Sequence, residues 1–148
     1  MTTINPYLTF DGNCEEAFNF YKGVFKKEFQ YVGRFGEMPP AEGQEALSPE
    51  QANRIMHVSL PIDGESVLMG SDSMDESCGG GPFVKGTNIT LSINSTETTE
   101  ADRLYAALST NGAQTMPMSQ TFWGAYFGML TDQFGIHWMI NVDVNPHK

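Results

Sequence analysis

"NPYLTFDGNCEEAFNFYKGVF", residues 5–25, decides how the chain folds. Tyr7, Leu8, Thr9 and Phe10 suit a pleated, half-buried strand. Asp11-Gly12 breaks that strand. Asn13 and Glu16 then have the spacing of a capping box, and Glu15 suits the positive end of a helix dipole. Ala17, Phe20, Tyr21, Val24 and Phe25 fall at i, i+3, i+4, i+7 and i+8, which is one continuous apolar stripe. A helix of this kind is stable only when the stripe lies on something, and the sheet of the adjacent strand is the economical support.

The stretch has an echo at residues 88–113, "NITLSINSTETTEADRLYAALSTNGA". It predicts an alternating strand, a polar turn capped by Thr98 or Thr99, and a helix with Ala101, Leu104, Tyr105 and Leu108 on one face. Glu16-Ala17 with Tyr21 corresponds to Glu100-Ala101 with Tyr105. Each unit is followed by three strand-like segments: 28–35, 54–62 and 66–71 after the first, and 114–121, 125–131 and 137–142 after the second. Asp63-Gly64 is a hairpin dipeptide. Trp123-Gly124 and Asp132–Gly135 supply the later turns. The chain therefore reads βαβββ twice, as one domain over 1–148. Module one covers 1–72, a Gly-rich linker 73–86, and module two 87–148. "EMPPAEGQEALSPEQANR" is an irregular excursion, either an ordinary loop or a flap.

Composition sets the outer limits. A chain of 148 residues with 40% hydrophobic content and ten phenylalanines is a folded globule. At that size folding buries about 68–70% of the surface the unfolded chain exposes. Eighteen acidic against eight basic residues give a net charge of −10. This argues against nucleic acid as a partner, because phosphate contacts need clustered Lys and Arg. No stretch approaches the roughly 20 apolar residues of a membrane span. The start, MTTINPYL, lacks the features of a secretory signal, and Cys14 and Cys78 are too few for a disulfide framework. A reducing cytoplasm is the expected location.

The paired βαβββ modules resemble the vicinal oxygen chelate superfamily, which includes glyoxalase I, extradiol dioxygenases and bleomycin-binding proteins. More narrowly, "YLTFDGNCEEAFNFYKGVF", "RIMHVSLPIDGESVLMGSD" and "TFWGAYFGMLTDQFGIHWMIN" resemble the PhnB-like branch, and the likeness covers nearly the whole chain. The resemblance implies an α+β fold in which each module's curved mixed sheet forms a half-barrel around a cavity. It also implies a homodimer. In the superfamily's enzymes a metal typically sits in the cavity, held by His or Glu from the first and last strands of each module. Imidazole and carboxylate suit a divalent ion with positions left open for substrate.

Those positions fall here on Asn5 or Pro6, Met69, Asn88 and Met139. None is His, Asp or Glu, so no metal or other cofactor is expected. The histidines are His57, in a strand, His137, which shares a face with Met139 and Asn141, and His147 near the C-terminus. Cys14 sits at a helix start, a setting that lowers a thiol pKa, yet a structural role is the expectation for a capped turn. No G-x-S-x-G elbow, P-loop or G-x-G-x-G run after a strand occurs. Without the last there is no S-adenosylmethionine fingerprint, so the methyltransferase label that some of the branch carry finds no support.

What remains is a set of soft and aromatic walls, well suited to an apolar or aromatic ligand oriented by a few polar groups. The expected cavity residues are His57, Met69, Asp72, Asn88, Gln120, Trp123, Tyr126, His137 and Met139. The leading expectation is a small-molecule binder acting without the usual metal. The alternatives are a glyoxalase- or dioxygenase-type enzyme with non-standard ligands, and a dimeric interaction protein whose cavity is filled.

Overall fold

A computed structural model describes residues 2–37, 47–73 and 83–143. The chain divides into two compact units, Met1–Val84 and Lys85–Lys148. The middle of the predicted Gly-rich linker (74–82) and half of the predicted excursion (38–46) lie outside the described residues, and the rest of that excursion is not irregular but carries a short helix, Pro49–Asn53.

In the first unit, β1 (Tyr7–Phe10) leads into α1 (Cys14–Phe25), followed by β2 (Tyr31–Arg34), a 3-10 turn (Phe35–Glu37), the short α2 (Pro49–Asn53), β3 (Ile55–Pro61) and β4 (Val67–Asp72). The sheet order is β1-β4-β3-β2, with β1 parallel to β4 and the other pairs antiparallel. In the second unit, β5 (Leu91–Ser95), α3 (Thr98–Leu108), β6 (Ala113–Gln120), β7 (Ala125–Thr131) and β8 (His137–Asp143) follow the same plan. Its order is β5-β8-β7-β6, again with the first strand parallel to the last. Two four-stranded mixed sheets, each open at both edges and each carrying a helix, make this an α+β protein built on the repeated βαβββ plan.

Each core lies between a helix and one face of its sheet. In α1 the buried residues are Cys14, Ala17, Phe18, Tyr21, Val24 and Phe25. The stripe thus runs through Phe18, and Phe20, expected inside, is only half-buried. Phe18 fits because Gly70 of β4 leaves room for it. A Cβ at Gly70 would lie 2.6 Å from Phe18 Cε2 and 2.7 Å from the Leu8 carbonyl oxygen.

The helix starts also differ from the sequence reading. Asn13 makes no side-chain cap. Instead Asp72, at the far end of β4, accepts from the Gly12 and Cys14 N–H groups at 3.0 and 2.9 Å and from Ile55 N–H at 2.8 Å. A local sequence rule cannot see a cap delivered from 58 residues away. α3 begins at Thr98 itself, preceded by Glu97, with no side-chain cap. A capping box does form at α2, between Ser48 and Gln51.

Candidate functional site

Strand alternation gives each sheet a helix-covered face and an open face. On the first sheet the open face carries Tyr7, Tyr31, His57, Ser59 and Met69. The register places Tyr7 beside Met69, Met69 beside Ser59, and Ser59 beside Tyr31, one row across all four strands. His57 stands on the same face of β3. Tyr7 reaches it across β4, with ring centroids 5.6 Å apart and planes at 25°. Its phenol oxygen is 3.2 Å from His57 Nδ1. Tyr31 approaches from β2 at 5.9 Å and 37°.

Gly33 makes that approach possible. A Cβ there would lie 2.5 Å from the Tyr31 hydroxyl, so the ring rests where any side chain would stand. Tyr7 and Tyr31 remain 46% and 49% exposed, while His57 and Met69 are half-buried.

On the second sheet, Met139 pairs with Ser92 on one side and Met129 on the other. Phe127 belongs to the same face, and Trp123, 58% exposed in the β6–β7 turn, lies edge-on to it at 6.3 Å. His137 spans two partners. Its Nδ1 is 3.0 Å from Thr131 Oγ1, and its Nε2 is 3.2 Å from the Gly86 carbonyl oxygen. A carbonyl only accepts, so Nε2 carries the proton and Thr131 donates to Nδ1 when the ring is neutral.

The expected cavity residues fall on both units. His57 and Met69 share the open face of the first sheet; His137 and Met139 share that of the second. Asp72 does not join them, because it is 4% exposed and engaged with three backbone donors beneath α1. Tyr126 turns toward the helix side, where its hydroxyl donates to Asp102 of α3 at 2.7 Å; that bond raises its pKa. Gln120 is exposed at the end of β6, opposite Tyr126. Asn88 is exposed and precedes β5, which begins only at Leu91.

Sequence reasoning missed Tyr7 and Tyr31. The alternation in YLTF was the available signal for Tyr7. Nothing local marks Tyr31, whose place depends on the pairing of β2 with β3.

Cys14 is fully buried, and burial followed by the nearby Asp72 carboxylate drives its thiol pKa far up. The helix N-terminus would favour a thiolate, but desolvation wins. This thiol is structural.

The metal that the resemblance implies finds few suitable ligands among these residues. Beside Met69 the register sets Tyr7, and beside Met139 it sets Ser92. The Asn5 amide oxygen is engaged by Val67 N–H at 3.2 Å. Among the described residues no three His, Cys, Asp or Glu side chains stand together as a metal site. This donor set does not fit a divalent metal.

The fold is that of the glyoxalase/bleomycin resistance/dioxygenase proteins, the vicinal oxygen chelate fold. Solved structures of a glyoxylase/bleomycin resistance protein/dioxygenase domain and of a glyoxalase-related enzyme share it at 16–18% identity, which shows the fold alone. Within that class, the chain belongs to the family described as 3-demethylubiquinone-9 3-methyltransferase, whose model matches residues 2–141. It is 35% identical to protein YjdN of Escherichia coli (strain K12) over 94% of each chain.

Protein PA1353 of Pseudomonas aeruginosa has 36% identity and a TM-score of 0.80, over 97% of this chain and 98% of that one. A Bacillus cereus structure named as a putative 3-demethylubiquinone-9 3-methyltransferase, PhnB protein, has 26% identity and a TM-score of 0.71, over 95% and 99%.

Proposed function

We propose that this PhnB-like protein binds a small, mostly apolar or aromatic molecule without a metal. One observation carries the reading: Met69 and Met139, at two of the positions where the resemblance places the superfamily's metal ligands, are thioethers that stand in register with Tyr7 and Ser92. Thioethers and a phenol make soft, stacking walls in place of a hard-ion cage. A homodimer in the cytoplasm belongs to the same reading. Methyl transfer stays with the family description, since the turns entering α1 and α3, Asp11–Asn13 and Thr96–Glu97, have no glycine run to hold a nucleotide-like donor.

The test uses protein purified without added metal. Elemental analysis is expected to find no stoichiometric transition metal, and Zn²⁺, Ni²⁺ or Mn²⁺ to leave the melting temperature unchanged. A panel of aromatic compounds should contain members that raise it, since a ligand at a hundredfold excess over its dissociation constant contributes about 2.7 kcal/mol. A stoichiometric metal, or no shift with any member, overturns the reading. Sedimentation equilibrium at twice the monomer mass of 16.4 kDa is expected for the dimer.

A further inference from the structure

The Tyr7–His57–Tyr31 ladder on the open face of the first sheet has a chemistry of its own. His57 uses only Nδ1 among the described residues, toward Tyr7, and its Nε2 bonds none of them. The neutral pair has two arrangements. When the Tyr7 hydroxyl donates to Nδ1, Nε2–H is left as a donor and the phenol oxygen as an acceptor. When Nδ1–H donates instead, the Tyr7 O–H becomes the free donor and Nε2 the free acceptor.

Either way one donor and one acceptor are left over, one on the Tyr7 oxygen and the other on Nε2, on the side of the ring away from that oxygen. A carboxylate can only accept and an ammonium can only donate, so each meets Nε2 in one arrangement alone. A hydroxyl group does both and matches either arrangement. The net charge of −10 also disfavours an anion. Around this polar edge stand two half-exposed tyrosine rings, with the Met69 thioether in register with Tyr7. Ring faces and a thioether select a flat aromatic partner over a puckered one of equal size.

We infer that Tyr7, His57 and Tyr31 recognise a neutral planar aromatic ring bearing a hydroxyl group, the hydroxyl closing onto the Tyr7–His57 pair and the ring stacking on the tyrosines. This rests on the metal-free binding reading above and names its ligand class.

The probe is 2-naphthol, compared with decahydro-2-naphthol, which keeps the hydroxyl and loses planarity. Equilibrium dialysis measures both, and the His57 imidazole resonances are followed by NMR. Wild-type protein is expected to bind 2-naphthol at least tenfold tighter than the saturated compound and to shift the His57 signals. Tyr7→Phe keeps the ring and removes the hydroxyl; His57→Phe keeps a ring and removes both nitrogens. Each is expected to weaken 2-naphthol by about tenfold, the scale of one hydrogen bond. The double variant should be no weaker than His57→Phe, because the two groups act as a unit.

Circular dichroism and melting temperature confirm that the variants fold, and Tyr7→Phe, at a half-exposed ring, is the conservative check. If aromatic compounds bind but these variants bind 2-naphthol as wild type does, or the saturated compound binds equally, the inference falls and the binding reading stands. If no aromatic compound binds at all, both fall.

Discussion

The Asp72 carboxylate meets three backbone N–H groups from two separate stretches of chain, the turn into α1 and the start of β3. Asp72→Ala would leave those donors without their acceptor, and the two buried ones, Cys14 and Ile55 N–H, would carry most of the cost. A loss of about 2–4 kcal/mol is expected, read as a lower urea midpoint with an unchanged m-value.

Cys14 beside it gives a pH-dependent prediction. Its folded pKa is raised by burial and by Asp72, whereas the unfolded thiol titrates near 9.0. Above that pH the unfolded chain sheds a proton that the folded chain keeps. The neutral thiol's contribution is thus whole below pH 9 and lost as pH rises. Wild type should lose up to about 1.4 kcal/mol more per pH unit than Cys14→Ala between pH 9.5 and 11, by denaturant titration.

At the scale of elements, the fit of α1 on its sheet depends on one missing side chain. Gly70→Ala would press a methyl group on Phe18 and on the Leu8 carbonyl oxygen, which is backbone of the neighbouring strand. Overpacking against backbone is relieved only by shifting β1 or α1, and a cost of about 1–3 kcal/mol is expected in thermal unfolding.

In the second unit the attachment is polar. The buried Tyr105 hydroxyl of α3 donates to the carbonyl oxygens of Met116 in β6 and Met129 in β7, at 2.9 and 3.2 Å. Tyr105→Phe should cost about 1 kcal/mol and speed amide exchange in the β6–β7 pair.

Across the whole molecule the repeat conserves a plan and exchanges the volumes that fill it. Met69 of β4 corresponds to Met139 of β8, so Gly70 corresponds to Ile140. In the helices, where Glu16-Ala17 corresponds to Glu100-Ala101, Phe18 corresponds to Asp102. The first unit sets a large helix residue over a glycine. The second sets a polar helix residue, engaged with Tyr126, and fills its sheet with the fully buried Ile140. Ile140→Ala opens a cavity where Gly70 has none to open, and a loss of about 2–5 kcal/mol is expected from equilibrium unfolding. The acidic balance acts at this scale too: no retardation of duplex DNA is expected in a mobility-shift assay at physiological salt.

The sequence by itself determined the repeated βαβββ order, the helices and most strand limits, because apolar period, turn dipeptides and segment length are local quantities. β7 falls at 125–131 in both readings, and β8 differs by one residue. Strand pairing decided what lay beyond that. Register carried Asp72 under α1, brought Tyr7 and Tyr31 to His57, and left Asn88 before its strand. Which side chains meet across a sheet depends on partners dozens of residues away, and a periodicity within one segment contains no information about them.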